Sequence, residues 1–131
     1  MQRFTKSERL CSSKLIDRLF ADGNRSIGSF PVRLVWLELP ESELQGIRVL
    51  VSVSKRHFKH AVDRNRAKRQ IREFYRTGCA ALKQEVSLRG GGLLLAFVYT
   101  GDRLLPSDEL LPRLVQAVNR LVKRLEEDRN Q

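Results

Sequence analysis

The chain has 131 residues, with 25 Lys or Arg against 15 Asp or Glu, a net charge of +10. One domain spanning 1–131 is expected at this length, and 41% hydrophobic residues suffice for a buried core. A pI near 10.4 points to a polyanionic partner, nucleic acid before all others. The longest apolar run, Leu93 to Tyr99, is too short to cross a bilayer, and no membrane partner is expected. Cys11 and Cys79 form neither a disulfide framework nor a metal-ligand spacing, so both are read as free thiols in a reducing compartment. The first residues, Met-Gln-Arg-Phe-Thr-Lys-Ser-Glu-Arg, lack an apolar h-region, so no signal peptide and a cytoplasmic location are expected.

In chain order, residues 1–8 read as a flexible basic arm. Ser12 or Ser13 can cap a helix running to about Ala21, with Leu15, Ile16, Leu19 and Phe20 as its apolar stripe. Asp22-Gly23-Asn24 closes it. Residues 24–29 suit a brief edge strand or a loop. Phe30 to Leu39 reads as a strand in which Val32, Leu34 and Trp36 point one way and Arg33, Val35, Leu37 and Leu39 the other. After an acidic turn closed by Gly46, Ile47 to Ser54 is a second strand. Its Ile47, Val49, Val51 and Val53 share an apolar face. Arg48, Leu50, Ser52 and Ser54 lie on a half-polar face suited to a ligand groove.

Lys55 to Arg76 carries nine Lys or Arg against two acids, a net +7 of the chain's +10. On a helical projection Ala67, Ile71 and Phe74 fall within about 60° of one another, and Asn65, Arg69, Arg72 and Arg76 within about 60° on the opposite side. Such a row of guanidiniums repels itself unless an extended anion lies along it. Arginine outnumbers lysine on the helix, as suits bidentate phosphate contacts. Asp63 is a candidate N-cap. A basic helix can also lie on a membrane surface, but that requires a detachable apolar face, and this one is short and reads as core. Phe58 reads equally as a base-stacking group or a loop anchor, while Phe74 and Tyr75 read as core.

Ala80 to Arg89 extends the helix after a break, and Gly90-Gly91-Gly92 is a turn. Leu93 to Tyr99 reads as a buried central strand. Ser107 to about Asp128 is the last helix, with Pro112 near its start and 129–131 as a tail. The order of helix, strands, basic helix, strand, helix suits a two-layer α+β domain with helices on one side of a small sheet.

Ser52-Val53-Ser54-Lys55, followed by Ala61-Val62-Asp63-Arg64-Asn65-Arg66-Ala67-Lys68-Arg69-Gln70-Ile71-Arg72, resembles the protein subunit of bacterial ribonuclease P. The resemblance implies an αβββαβα fold with a small mixed sheet and a left-handed βαβ crossover around the basic helix. It implies an accessory subunit of an endoribonuclease, one that assists a catalytic RNA in removing the 5′ leader of precursor tRNA. The implied partners are that RNA and precursor tRNA, with no protein partner required. It assigns Arg64, Asn65, Arg66, Lys68, Arg69 and Arg72 to the catalytic RNA, and the helix projection adds Arg76. It assigns Phe20, Ser52, Ser54 and Lys55 to a leader cleft, with Trp36 near a further cleft aromatic. Ile16 stands where relatives often carry an aromatic, and strand alternation adds Arg48 to the same cleft.

His57 and His60 have no paired carboxylate or nucleophile in pattern, so no catalytic residue and no protein metal site are expected. Hydrolysis would then use Mg²⁺ held by the RNA. Two other classes fit the basic composition: a ribosomal-protein-like RNA-binding module and a DNA-binding architectural protein.

Overall fold

A computed structural model describes residues 12–21, 25–54, 56, 58 and 60–130. Lys55 and Cys11, both singled out by sequence, lie outside the described residues, as do the 1–8 arm and His57. The elements are α1 (Ser13–Leu19), β1 (Arg25–Ser29), β2 (Val32–Leu39), β3 (Gly46–Val53), α2 (Ala61–Gly78), α3 (Ala80–Arg89), β4 (Gly92–Tyr99) and α4 (Ser107–Arg129). This is the expected αβββαβα order, with α3 continuing the basic helix after a break at Cys79.

Four strands form one mixed sheet in the order β1-β2-β4-β3. β1 and β2 form a hairpin across Phe30-Pro31, whose peptide bond is cis. β4 runs antiparallel to β2 and parallel to β3, with Tyr99 opposite both Val32 and Val53. The β3–β4 parallel pair is joined through α2 and α3. Gly91, at φ +83°, turns the chain into β4 with its α-carbon against Leu39; a Cβ there would sit 2.7 Å from the Leu39 carbonyl oxygen.

Alternation divides the sheet as the sequence predicts. Val32, Leu34, Trp36, Ile47, Val49, Val51, Val53, Leu93, Leu95, Phe97 and Tyr99 face the main core. That core is closed by Ala67, Ile71, Phe74 and Tyr75 of α2, Leu82 and Val86 of α3, and Leu110 to Leu125 of α4. The helices do not all lie on one side, however. The other face, formed by Val35, Leu37, Leu50, Leu94, Ala96 and Val98, is covered in part by Leu15, Ile16 and Leu19 of α1. β4 is apolar on both faces, so a single helical layer could not bury it.

Local signals set the element ends. Ser12 Oγ accepts a hydrogen bond from the Leu15 amide at 3.4 Å, capping α1. Asp63 is not the cap of α2: the N-cap is His60, whose side chain makes no capping bond, and Asp63 sits in the first turn. A carboxylate there still favours the positive end of the helix dipole. Pro112 lies inside α4, whose first turn begins earlier, at Ser107.

Trp36 departs from the sequence expectation. It is 2% exposed and belongs to the main core, on the face away from α1, so it cannot line a cleft beside α1. Phe20, in contrast, is 47% exposed at the end of α1. Trp36→Ala is expected to cost about 3–5 kcal/mol of stability, as large core truncations do, and Phe20→Ala within about 0.5 kcal/mol. Urea denaturation of both variants checks this; equal losses would contradict the two placements.

Candidate nucleic-acid interface

α2 forms because its apolar residues repeat at helical spacing, and that spacing orients its charges. Ala67, Ile71, Phe74 and Tyr75 are buried, which turns Asn65, Arg66, Arg69 and Arg72 outward. Asn65, Arg69, Arg72, Glu73 and Arg76 line a shallow groove of about 370 Å³. The face is not uniform. Arg76 is hydrogen-bonded to Glu73 through a guanidinium nitrogen. That bond raises the Arg76 pKa and lowers that of Glu73, so part of the charge at this end is spent within the helix.

Arg64 is also engaged. Its Nη1 donates to the Phe58 carbonyl at 2.7 Å. Phe58 is 3% exposed and packs edge-on against Tyr99, ring centroids 5.3 Å apart. Phe58 is therefore a loop anchor rather than an exposed stacking group. Arg64 clasps that anchor and holds the first turn of α2 at the Val53 end of the sheet. Arg66, Arg69 and Arg72 are exposed and make no ion pair with any described residue. Lys68 is half-buried beside them.

On the opposite sheet face, α1 leaves a groove of about 290 Å³ lined by Leu19, Phe20, Ala21, Ser26, Arg33, Val35, Val98 and Thr100. It lies in the layer where Arg33, Val98 and Ser52 are in register across β2, β4 and β3. Ser52 and Ser54 are half-buried at this end, and the Ser54 hydroxyl accepts from the Arg56 amide at 3.1 Å. Ile16 packs into the small apolar cluster under α1. Phe20 is thus the exposed aromatic on the rim, with Ile16 beneath the helix.

Arg48 does not join this groove. It stands four residues before Ser52, about 13 Å along the strand. It lines a different cavity of about 430 Å³ with Glu41, Tyr75, Lys83 and Ser87 at the far end of β3. Arg33 takes the place that alternation gave to Arg48. Sequence reasoning put Arg33 on the strand face shared by Val35 and Leu37 but did not connect it to the groove, because only the β2–β4 pairing brings it beside Val98.

The described residues include no group of three or more His, Cys, Asp or Glu that could hold a metal ion. No helix of the described residues is long and apolar enough to cross a membrane. Cys79 is buried, and burial pushes its thiol up to about 12 from an ordinary 9.0, with Lys83 opposing slightly. It is an inert core thiol rather than a nucleophile.

The fold and these surfaces define a class: a small α+β protein with exposed arginines segregated on one helix and an aromatic-rimmed groove across its sheet. Known proteins make the class specific. A family model described as Ribonuclease P matches residues 4–126. The ribonuclease P protein component of Porphyromonas gingivalis is 34% identical over 112 residues, covering 86% of this chain and 80% of that protein. The corresponding component of Chlorobium phaeobacteroides is 36% identical over 128 residues, covering 89% and 84%. The solved structure of the Staphylococcus aureus RNase P protein has the same fold, with a TM-score of 0.65 at 17% identity over 88% of this chain and 96% of that one. The chain belongs to the ribonuclease P protein family.

The Cys79 thiol is expected to stay protonated through neutral pH. Its raised pKa stabilises the fold fully below about 9, and that contribution fades as pH rises toward about 12. In a Cys11→Ser variant, a disulfide reagent at pH 8 should label no thiol until denaturant is added. Rapid labelling of the native protein would contradict the burial.

Proposed function

We propose that this chain is the protein subunit of a ribonuclease P ribonucleoprotein that removes the 5′ leader from precursor tRNA. The α2 face grips the catalytic RNA, and the groove beside α1 holds the single-stranded leader. The observation that carries this is the pairing of two chemically different surfaces at one end of the sheet. Arg66, Arg69 and Arg72 stand exposed on α2. Phe20 and Arg33 line the groove on the other face, with Ser52 in register two strands from Arg33 near the Val53 end, where Phe58 and Arg64 also anchor the start of α2.

Each surface suits its assigned RNA. A row of guanidiniums meets phosphates bidentately and docks a folded polyanion without reading its sequence. A groove with an exposed aromatic and a cation suits an unpaired strand, whose bases stack and whose phosphates pair. The chain thereby raises affinity for substrate and screens repulsion between two RNAs, an effect that weakens steeply with salt. The described carboxylates do not gather into a metal-binding group, so we assign the Mg²⁺ and the hydrolytic step to the RNA partner. We place the chain in the cytoplasm with that RNA.

Purified protein added to the catalytic RNA at low Mg²⁺ is expected to stimulate precursor-tRNA cleavage. Absence of stimulation would overturn the assignment. Binding to structured RNA with no preference for precursor over mature tRNA would favour a ribosomal-protein-like module instead. Preference for duplex DNA in competition would favour an architectural protein.

The arginines are expected to separate into two kinds. Arg66→Ala and Arg69→Ala should each weaken binding to the catalytic RNA about tenfold while leaving thermal melting unchanged, as befits exposed phosphate contacts. Arg64→Ala should also lower the melting temperature, because it releases the Phe58 carbonyl. Equal melting losses for all three would contradict this division.

A further inference from the structure

Among the described residues, Arg33 is the one cation lining the groove beside α1, and no described acid lines it with Arg33. β1–β2 pairing sets Gly28 opposite Arg33 and Ser26 opposite Val35, so Ser26 lies diagonally across from Arg33 on the same face. A long side chain spans that diagonal, and Arg33 Nη2 donates to Ser26 Oγ at 3.0 Å. One edge of the guanidinium is therefore held while the side chain as a whole remains exposed. Phe20 rims the same groove, and Val35 and Val98 form its apolar floor. Among the described residues next to Phe20, Ile16 and Val35 stand where a second ring could be.

We propose that Arg33, steadied by Ser26, forms a phosphodiester-binding subsite for single-stranded RNA, one nucleotide removed from a base stacked on Phe20. This rests on the leader-holding role assigned above to the groove. An aliphatic wall offers contact but no π-face, so a leader here is held by one stack and one charge-assisted contact rather than by successive stacks. A bidentate guanidinium tethered on one edge loses less freedom on binding than a free one. Affinity for the leader then depends on salt and on one backbone linkage more than on base identity.

The test uses the reconstituted complex of this protein with the catalytic RNA. Binding of precursor and mature tRNA is measured across a salt series for wild type, Arg33→Ala, Arg33→Lys, Ser26→Ala and Phe20→Ala. Leaders carrying a single neutral methylphosphonate linkage are then scanned one position at a time. The expected result is a five- to tenfold loss of precursor affinity in Arg33→Ala with mature tRNA unchanged. Arg33→Lys should recover part of it, and Ser26→Ala should lose about twofold. The salt slope should fall by about 0.7, the single-strand value for one phosphate. One neutral linkage should weaken wild type and have no further effect on Arg33→Ala.

Should Phe20→Ala lose the precursor preference while Arg33→Ala keeps both preference and salt slope, the subsite is overturned and the leader groove stands. Lack of precursor preference in the wild-type complex overturns both. A lowered melting temperature in Arg33→Ala with the precursor-to-mature ratio intact shows a purely structural Arg33–Ser26 contact and also overturns the subsite.

Discussion

The fold depends on burying β4 on both faces. Leu93, Leu95, Phe97 and Tyr99 face one way and Leu94, Ala96 and Val98 the other, with only Val98 partly open to solvent. A strand of this kind must be central, flanked by β2 and β3, and must carry helices on both sides. The larger face takes α2, α3 and α4, whose buried apolar residues all meet it. Among the described residues the smaller face takes only the seven-residue α1. Seven residues span about 10 Å, which is too short to cover the sheet. The groove beside Phe20 is what the described residues leave uncovered.

The same core orients the basic helix. Burial of Ile71 and Phe74 at 0% and 3% exposure leaves α2 little freedom to rotate, so its arginines face solvent at the cost of mutual repulsion. Elsewhere four acids are committed to structure. Glu85, itself buried, accepts from Arg129 at 2.8 Å. Glu38 accepts from Arg89 at 2.7 Å, Glu43 pairs with Arg18, and Asp128 with Arg25. These pairs tie α3, α4 and α1 to the sheet and its loops, and they draw acids away from α2. An exposed pair such as Arg18–Glu43 contributes little stability by itself. The larger consequence of the four pairs is a charge distribution in which Arg66, Arg69 and Arg72 remain available to a polyanion.

Much of this was legible in the sequence for a geometric reason. Period-two alternation in β2 and β3 assigns each side chain to a face, and the 3.6-residue period does the same for α2. Arg66 and Arg69 outward, Phe74 and Tyr75 inward, and Ser52 opposite Val53 all follow from that. Three assignments needed more than a period. Trp36 was linked to the groove by kinship of position, although alternation already put it beside Val32 and Leu34, and the core holds it there. Arg48 and Ser52 share a face yet stand about 13 Å apart along the strand, so a common face did not make a common site. Phe58 and Arg64 form a clasp between a loop and a helix, and no periodicity reports a contact of that sort.

By itself, then, the sequence determined the element order, the two faces of each strand and the segregation of charge, since each depends only on near neighbours along the chain. Tertiary structure alone decided which residues share a groove. The β1-β2-β4-β3 order brings Arg33, Val98 and Ser26 together from three strands. That order is selected by the need to bury β4 on two faces at once, a constraint that acts across the whole sheet and leaves no local mark at Arg33.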